Sequence, residues 1–166
     1  EIRNAVGRIQ NRAQLVTDEP VHGNRGISHT RWATHGAPSE RNAHPHVSAG
    51  LAVVHNGIIE NYAELKQELI ADGYEFSSDT DTEVVAHLIQ HELKSVPDLF
   101  DAVRRVSNKL VGAYAIAILQ EQDDRIVVAR NGAPLLLGLG EDGNYAASDA
   151  SALLQVTRRI VYLEDG

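Results

Sequence analysis

The sequence holds no cysteine and no methionine. Without cysteine, these 166 residues form no disulfide, no thiolate metal ligand and no thiol nucleophile. Without methionine, Glu1 is not a natural translation start, and the chain is expected to be part of a longer polypeptide. No apolar run approaches the roughly 18 residues of a membrane span, and no secretory leader opens the chain. A cytoplasmic protein with no membrane partner is therefore expected. Basic residues are in deficit, 15 against 23 acidic, for a net charge of −8 and a pI near 5.4. A nucleic-acid partner would need a basic stripe, and this balance argues against one. Familiar catalytic signatures are missing as well. None of Ser28, Ser39, Ser48, Thr30 and Thr34 sits in a Gly-x-Ser-x-Gly elbow, and no His-Glu-x-x-His occurs. There is no internal repeat, low-complexity tract or linker.

What is present is an ordinary globular composition, 43% hydrophobic and 23% charged. Residues 1–166 read as one domain, long enough to bury on the order of 70% of its unfolded surface. A weak strand and then a short amphipathic helix are predicted before Pro20, and a short strand over 27–31. Residues 51–55 are a continuous apolar run, predicted as a buried strand that stops in a turn at Asn56-Gly57. A helix is predicted from Asn61, as N-cap with Glu64 completing a capping box, to Gly73 as its C′ residue. A second box, Thr80 to Glu83, opens a helix whose apolar face is Val84, Val85, Leu88 and Ile89. A third helix follows Pro97, with Leu99, Val103 and Val106 turned inward. Then the period changes. Tyr114, Ile116 and Ile118 alternate with alanines, so both faces are apolar and the strand should lie between two layers. Strands are predicted over 125–130, 135–139, 144–148 and 159–163, with a helix over 149–156. Helices followed by a strand meander imply an α+β or layered α/β/β/α fold.

The chemistry-bearing residues cluster between His29 and Gly57. Five of the eight histidines fall there, with the only tryptophan. That mixture suits a pocket for a small, charged, hydrogen-bonding molecule. Arg31 offers a guanidinium fork that grips a carboxylate, although an isolated arginine is more often half of a surface ion pair. Trp32 is core or a lid over a ligand. The histidines invite a metal, but no carboxylate stands at a ligand spacing, and a His-Pro-His turn is more often a hydrogen-bonded loop; no metal site is expected. Asn56-Gly57 after a buried strand makes an oxyanion-binding corner, with a side-chain amide and an unobstructed backbone N–H. The competing reading is a hairpin turn, weakened because a helix and not a paired strand follows. Asp81 either complements the positive end of its helix or receives a substrate ammonium. Arg31 and Asp81 together would measure out an α-amino acid. A nucleophile is lacking.

Four motifs recur in order: 29–36 (His-Thr-Arg-Trp-Ala-Thr-His-Gly), 42–46 (Asn-Ala-His-Pro-His), 55–61 (His-Asn-Gly-Ile-Ile-Glu-Asn) and 80–83 (Thr-Asp-Thr-Glu). With Arg130 to Leu135, Ala147 to Asp149 and Thr157 to Arg159, they resemble the glutaminase domain of the glutamine–fructose-6-phosphate aminotransferases (isomerising), or glucosamine-6-phosphate synthases. These are class II amidotransferases. The resemblance implies an N-terminal nucleophile fold: a four-layer α/β/β/α sandwich, here with its first segment missing. It implies hydrolysis of glutamine to glutamate and ammonia by an N-terminal cysteine whose own α-amine is the base. It also implies that Arg31 binds the glutamine carboxylate and Asp81 its ammonium. Asn56 and Gly57 form the oxyanion hole. Trp32, Thr34 and His35 line the pocket or its mobile cover, and His44 supports that loop. No cofactor is implied. A downstream sugar-phosphate isomerase domain would use the ammonia to convert fructose 6-phosphate to glucosamine 6-phosphate, in a homodimeric enzyme. Without its cysteine the chain as given should be inactive. Two rivals remain: a class II amidotransferase with another acceptor, and a catalytically dead amino-acid-binding or regulatory module.

Overall fold

The computed structural model describes residues 1–4, 9–30 and 39–165. Helix α1 (Ile9–Asp18) comes first, as the amphipathic pattern before Pro20 predicts. The weak strand does not form in residues 1–4, and 27–30 have no regular structure. Strands β1 (His46–Ser48) and β2 (Leu51–Gly57) are followed by helices α2 (Tyr62–Ala71), α3 (Thr82–Leu93) and α4 (Leu99–Ser107). Then come β3 (Tyr114–Gln120), β4 (Ile126–Asn131), β5 (Leu136–Leu139), β6 (Asn144–Ala147), α5 (Ala150–Leu153) and β7 (Ile160–Tyr162). The strands form two antiparallel sheets, β1-β2-β3-β4 and β6-β5-β7.

The centre of the first sheet is the pair β2–β3, in register from Leu51↔Gln120 to Gly57↔Tyr114. Alternation gives it two distinct faces. Leu51, Val53, Ile116, Ile118 and Val127 point to the helices and join Leu65, Leu69, Val84, Val85, Ile89, Leu99, Val103 and Val106 in one buried core. Val54, Ala115, Ala117 and Val128 occupy the other face. With Leu137 of the second sheet and Leu135 just before it they line a cavity of about 560 Å³. Beyond that sheet sits α5. Gly138, on the face of β5 away from Leu137, lacks a side chain; a Cβ there would lie 2.9 Å from Thr157 and 3.1 Å from Leu153. The layers therefore run helix, sheet, sheet, helix, which is the predicted α+β sandwich.

Local signals placed the elements from β2 onward but gave no sign of β1 and misread several ends. Strand β2 does not stop before Asn56-Gly57; both residues lie inside it and pair with β3. Asn61 does not cap α2 with its side chain. Its Nδ2 donates to Lys109 O at 2.9 Å and its Oδ1 accepts from Val111 N at 3.0 Å, so it ties the helix start to the approach to β3. At the other end the prediction holds, and Tyr74 N→Leu69 O and Gly73 N→Ile70 O close α2 in a Schellman motif. The box at α3 is also different. Thr80 Oγ1 turns to His46 Nε2 at 3.0 Å, and Glu83 reaches back to Ser77 and Ser78. Asn61 and Thr80 are drawn to polar partners distant in sequence, while Glu83 takes the turn that leads into its own helix.

Candidate active site

The site is built on the edge of β2 that faces away from β3. Ile58 N donates to Ala113 O at 2.9 Å, so Gly57 opposite Tyr114 is a non-hydrogen-bonded position of the ladder. Its own N–H therefore points away from β3. His55 N–H, two residues earlier, points the same way and donates to His44 Nδ1 at 3.2 Å. Strand β1 covers β2 only as far as Val53 in this register. The crossing of β2 over the entry to β3 is close: a Cβ on Gly57, at φ +126°, would lie 2.0 Å from Ala113 O, and one on Gly112, at φ +121°, 2.3 Å from Ile58 O. Only glycine allows that approach.

Behind this edge stands the N-terminus of α3. Asp81 is 3% exposed, and its Oδ2 accepts the Ile59 N–H at 2.9 Å. The carboxylate makes no side-chain capping bond; it fixes the backbone two residues beyond Gly57 and lies 4.0 Å from His55 Nδ1. Thr82 Oγ1 lies 2.9 Å from His55 Nδ1 and 3.3 Å from His44 Nε2. Because His44 Nδ1 accepts a backbone N–H, its ring is neutral with the proton on Nε2, directed at Thr82. His44 follows the chain into a cis peptide bond with Pro45. On its other side His29 stacks at a centroid distance of 4.1 Å and an interplanar angle of 24°. His29 Nε2 lies 2.7 Å from Asn56 Oδ1.

The polar network continues inward. His46, Thr80 and Ser78 form a chain of contacts ending at Glu83, whose Oε2 accepts from Ser78 Oγ at 2.6 Å. Glu83 also accepts from Ser77 N, Ser77 Oγ and Ser78 N. Burial alone would raise its pKa, but the His87 ring 3.8 Å away and the hydrogen bonds from Ser78 and Ser77 outweigh that and hold it well below the usual 4.5. His87 in turn meets Ser48 Oγ at 2.9 Å. Among the described residues no group of three or more His, Asp or Glu is placed to hold a metal ion.

Four predicted site residues thus share one corner: Asn56 and Gly57 on β2, Asp81 just before α3, and His44 between them. Arg31, Trp32, Thr34 and His35 lie outside the described residues. Thr82, His55 and His29 were not singled out from the sequence as site residues. Thr82 is hidden inside an apparent capping box. His55 and His29 each open one of the motifs, and only burial and distance reveal what they touch.

The chain is similar to known proteins in both sequence and fold. The family described as a glutamine amidotransferase domain matches residues 29–155. Glutamine–fructose-6-phosphate aminotransferase (isomerising) of Pseudomonas putida is 55% identical over 99% of this chain, and that of Escherichia coli K12 is 54% identical over 97%. The chain spans 27% of the length of each of these relatives. Among solved structures, the glutamine phosphoribosylpyrophosphate amidotransferase of B. subtilis, complexed with ADP and GMP, superposes with a TM-score of 0.65. It is 34% identical, over 81% of this chain and 29% of that one. The layered fold is that of the N-terminal nucleophile amidotransferases, and the chain belongs to the glutamine amidotransferase domain family.

Proposed function

We propose that residues 1–166 are the glutamine-hydrolysing domain of a glutamine–fructose-6-phosphate aminotransferase. The observation that carries this reading is the 55% identity over 99% of the chain to a relative of that name. The amidotransferase with a phosphoribosyl acceptor is only 34% identical, which favours the sugar-phosphate acceptor over its rival. In this reading Arg31 holds the glutamine carboxylate and Asp81 its ammonium. Trp32, Thr34 and His35 line the pocket or its cover, and His44 supports that cover.

A cysteine upstream of Glu1 in the same polypeptide supplies the nucleophile. Its thiol attacks the carboxamide carbon and passes its proton, through the cysteine α-amine, to the departing ammonia. Water then hydrolyses the thioester to glutamate and restores the thiol. The negative oxygen formed in each step is met by the Asn56 amide and the Gly57 N–H. The direction of that N–H, off the open edge of β2, supports this role. A downstream isomerase domain would take the ammonia to convert fructose 6-phosphate to glucosamine 6-phosphate, in a cytoplasmic homodimer.

The test is the full-length polypeptide with its N-terminal cysteine, assayed for glutamate and glucosamine 6-phosphate. Arg31→Ala should cost about 2–3 kcal/mol, roughly 30- to 150-fold in kcat/KM, chiefly through the KM for glutamine. Glutamate without aminosugar would point to another acceptor. Glutamine binding by calorimetry without any turnover would point to a dead binding module.

A further inference from the structure

We infer that His29 is the positioning residue that decides which way the Asn56 carboxamide faces, an inference that rests on reading Asn56 as an oxyanion donor. A carboxamide is nearly the same shape after a half-turn about its terminal torsion, and that torsion is soft and two-fold. Turned one way, Asn56 offers N–H to a developing negative oxygen. Turned the other way, it offers its own oxygen, which repels that charge. Something must choose.

The contact that chooses is the 2.7 Å approach of His29 Nε2 to Asn56 Oδ1. An amide oxygen only accepts, so His29 Nε2 carries the proton and donates. With Oδ1 engaged, the amide nitrogen is directed away from His29. His29 comes from a stretch without regular structure, so no ladder holds it. Its ring is held instead by the stack on His44. His44 is itself clamped, by His55 N–H at Nδ1 and by Thr82 at Nε2. His55 immediately precedes Asn56 in β2, so one strand carries both the donor and the clamp for the ring that backs its partner. The clamp behind the ring is buried, with His44 6% and His55 4% exposed, while the His29–Asn56 contact itself faces the open side of the corner.

The experiment uses the full-length enzyme with its N-terminal cysteine, and three substitutions at one position. His29→Ala removes ring and donor. His29→Phe keeps an aromatic ring against His44 but cannot donate. His29→Gln places an N–H near the same point. Removing an oxyanion donor outright typically lowers kcat by about 100- to 1,000-fold; misdirecting one should lower it by about 10- to 100-fold. That loss is expected for both Ala and Phe, with the KM for glutamine within about threefold, because the carboxylate and ammonium contacts are untouched. Gln should recover most of the rate. In an Asn56→Ala background, His29→Phe should cost less than about twofold more, since two residues acting as a unit are not additive. Should Asn56→Ala itself leave kcat unchanged, the oxyanion reading fails first. Should Asn56→Ala be slow while His29→Phe matches wild type, or should the two losses multiply, the positioning inference alone is overturned.

Discussion

At Gly57 the backbone is at φ +126° and the site for a Cβ is occupied by a carbonyl oxygen 2.0 Å away. Gly57→Ala must therefore move β2 off β3 at this corner, and should cost about 3 kcal/mol or more in urea denaturation through combined strain and overpacking. Thr82 is the second residue on which local geometry turns. It bridges His44 and His55 with one hydroxyl, and Thr82→Val would keep the shape while leaving two ring nitrogens short of a partner. A loss of about 1–3 kcal/mol in the same measurement is expected. Glu83 sets an acid limb. Its carboxyl is held below 4.5 in the folded chain by its hydrogen bonds, so its stabilisation is complete above about pH 4.5 and is lost as pH falls further. Glu83→Gln should lower neutral-pH stability and flatten the decline below pH 4.5; an unchanged pH profile would refute that origin. At this scale the sequence was a partial guide. The types at Asn56, Gly57, Asp81 and Glu83 announced polar work, yet Asn61 and Glu83 were read as caps because a cap is the nearest available partner. The folded chain offered each a better one: Lys109 and Val111 for Asn61, and the backbone of Ser77 and Ser78 for Glu83.

At the scale of elements, α3 joins core to site. From Thr82 to Ile89 every residue is buried. Val84, Val85 and Ile89 meet the sheet and its neighbouring helices, while Thr82, Glu83 and His87 meet the polar network. Ile89→Ala should cost about 2–5 kcal/mol by leaving a cavity in that packing, measurable as a lower urea midpoint. The helical period of α3 and α4 and the strict alternation of β3 were legible, because burial on a defined face imposes its period on the sequence. The end of β2 was not. Asn-Gly is the strongest short hairpin signal, and only the register with β3 shows that both residues are paired.

Over the whole molecule, packing is uneven. The helix–sheet layer is dense, with Ala86 fully buried. The layer between the two sheets contains the cavity of about 560 Å³ lined by small residues such as Ala115 and Ala117. Equal additions should therefore have unequal effects. Ala86→Val should cost about 1–3 kcal/mol by overpacking, whereas Ala117→Val, growing toward open space, should stay within about 1 kcal/mol of wild type. Equal losses at the two positions would show that the sheet–sheet layer is as tightly filled as the helical one.

By itself the sequence determined the order and kind of the elements from β2 onward, the layered α+β class and the stretch that carries the chemistry. It did not show β1, and the strands it placed before α1 and over 27–31 do not form in the described residues 1–4 and 27–30. Periodicity and turn residues are local properties, and the family motifs are contiguous strings. Only the tertiary structure decided which polar groups meet. Asn56 finds His29, Asp81 finds the Ile59 amide, and His44 finds Thr82 across separations of 27, 22 and 38 residues. No local rule encodes such pairings. They follow from laying the open edge of β2 against the first turn of α3, where buried donors and acceptors must satisfy one another.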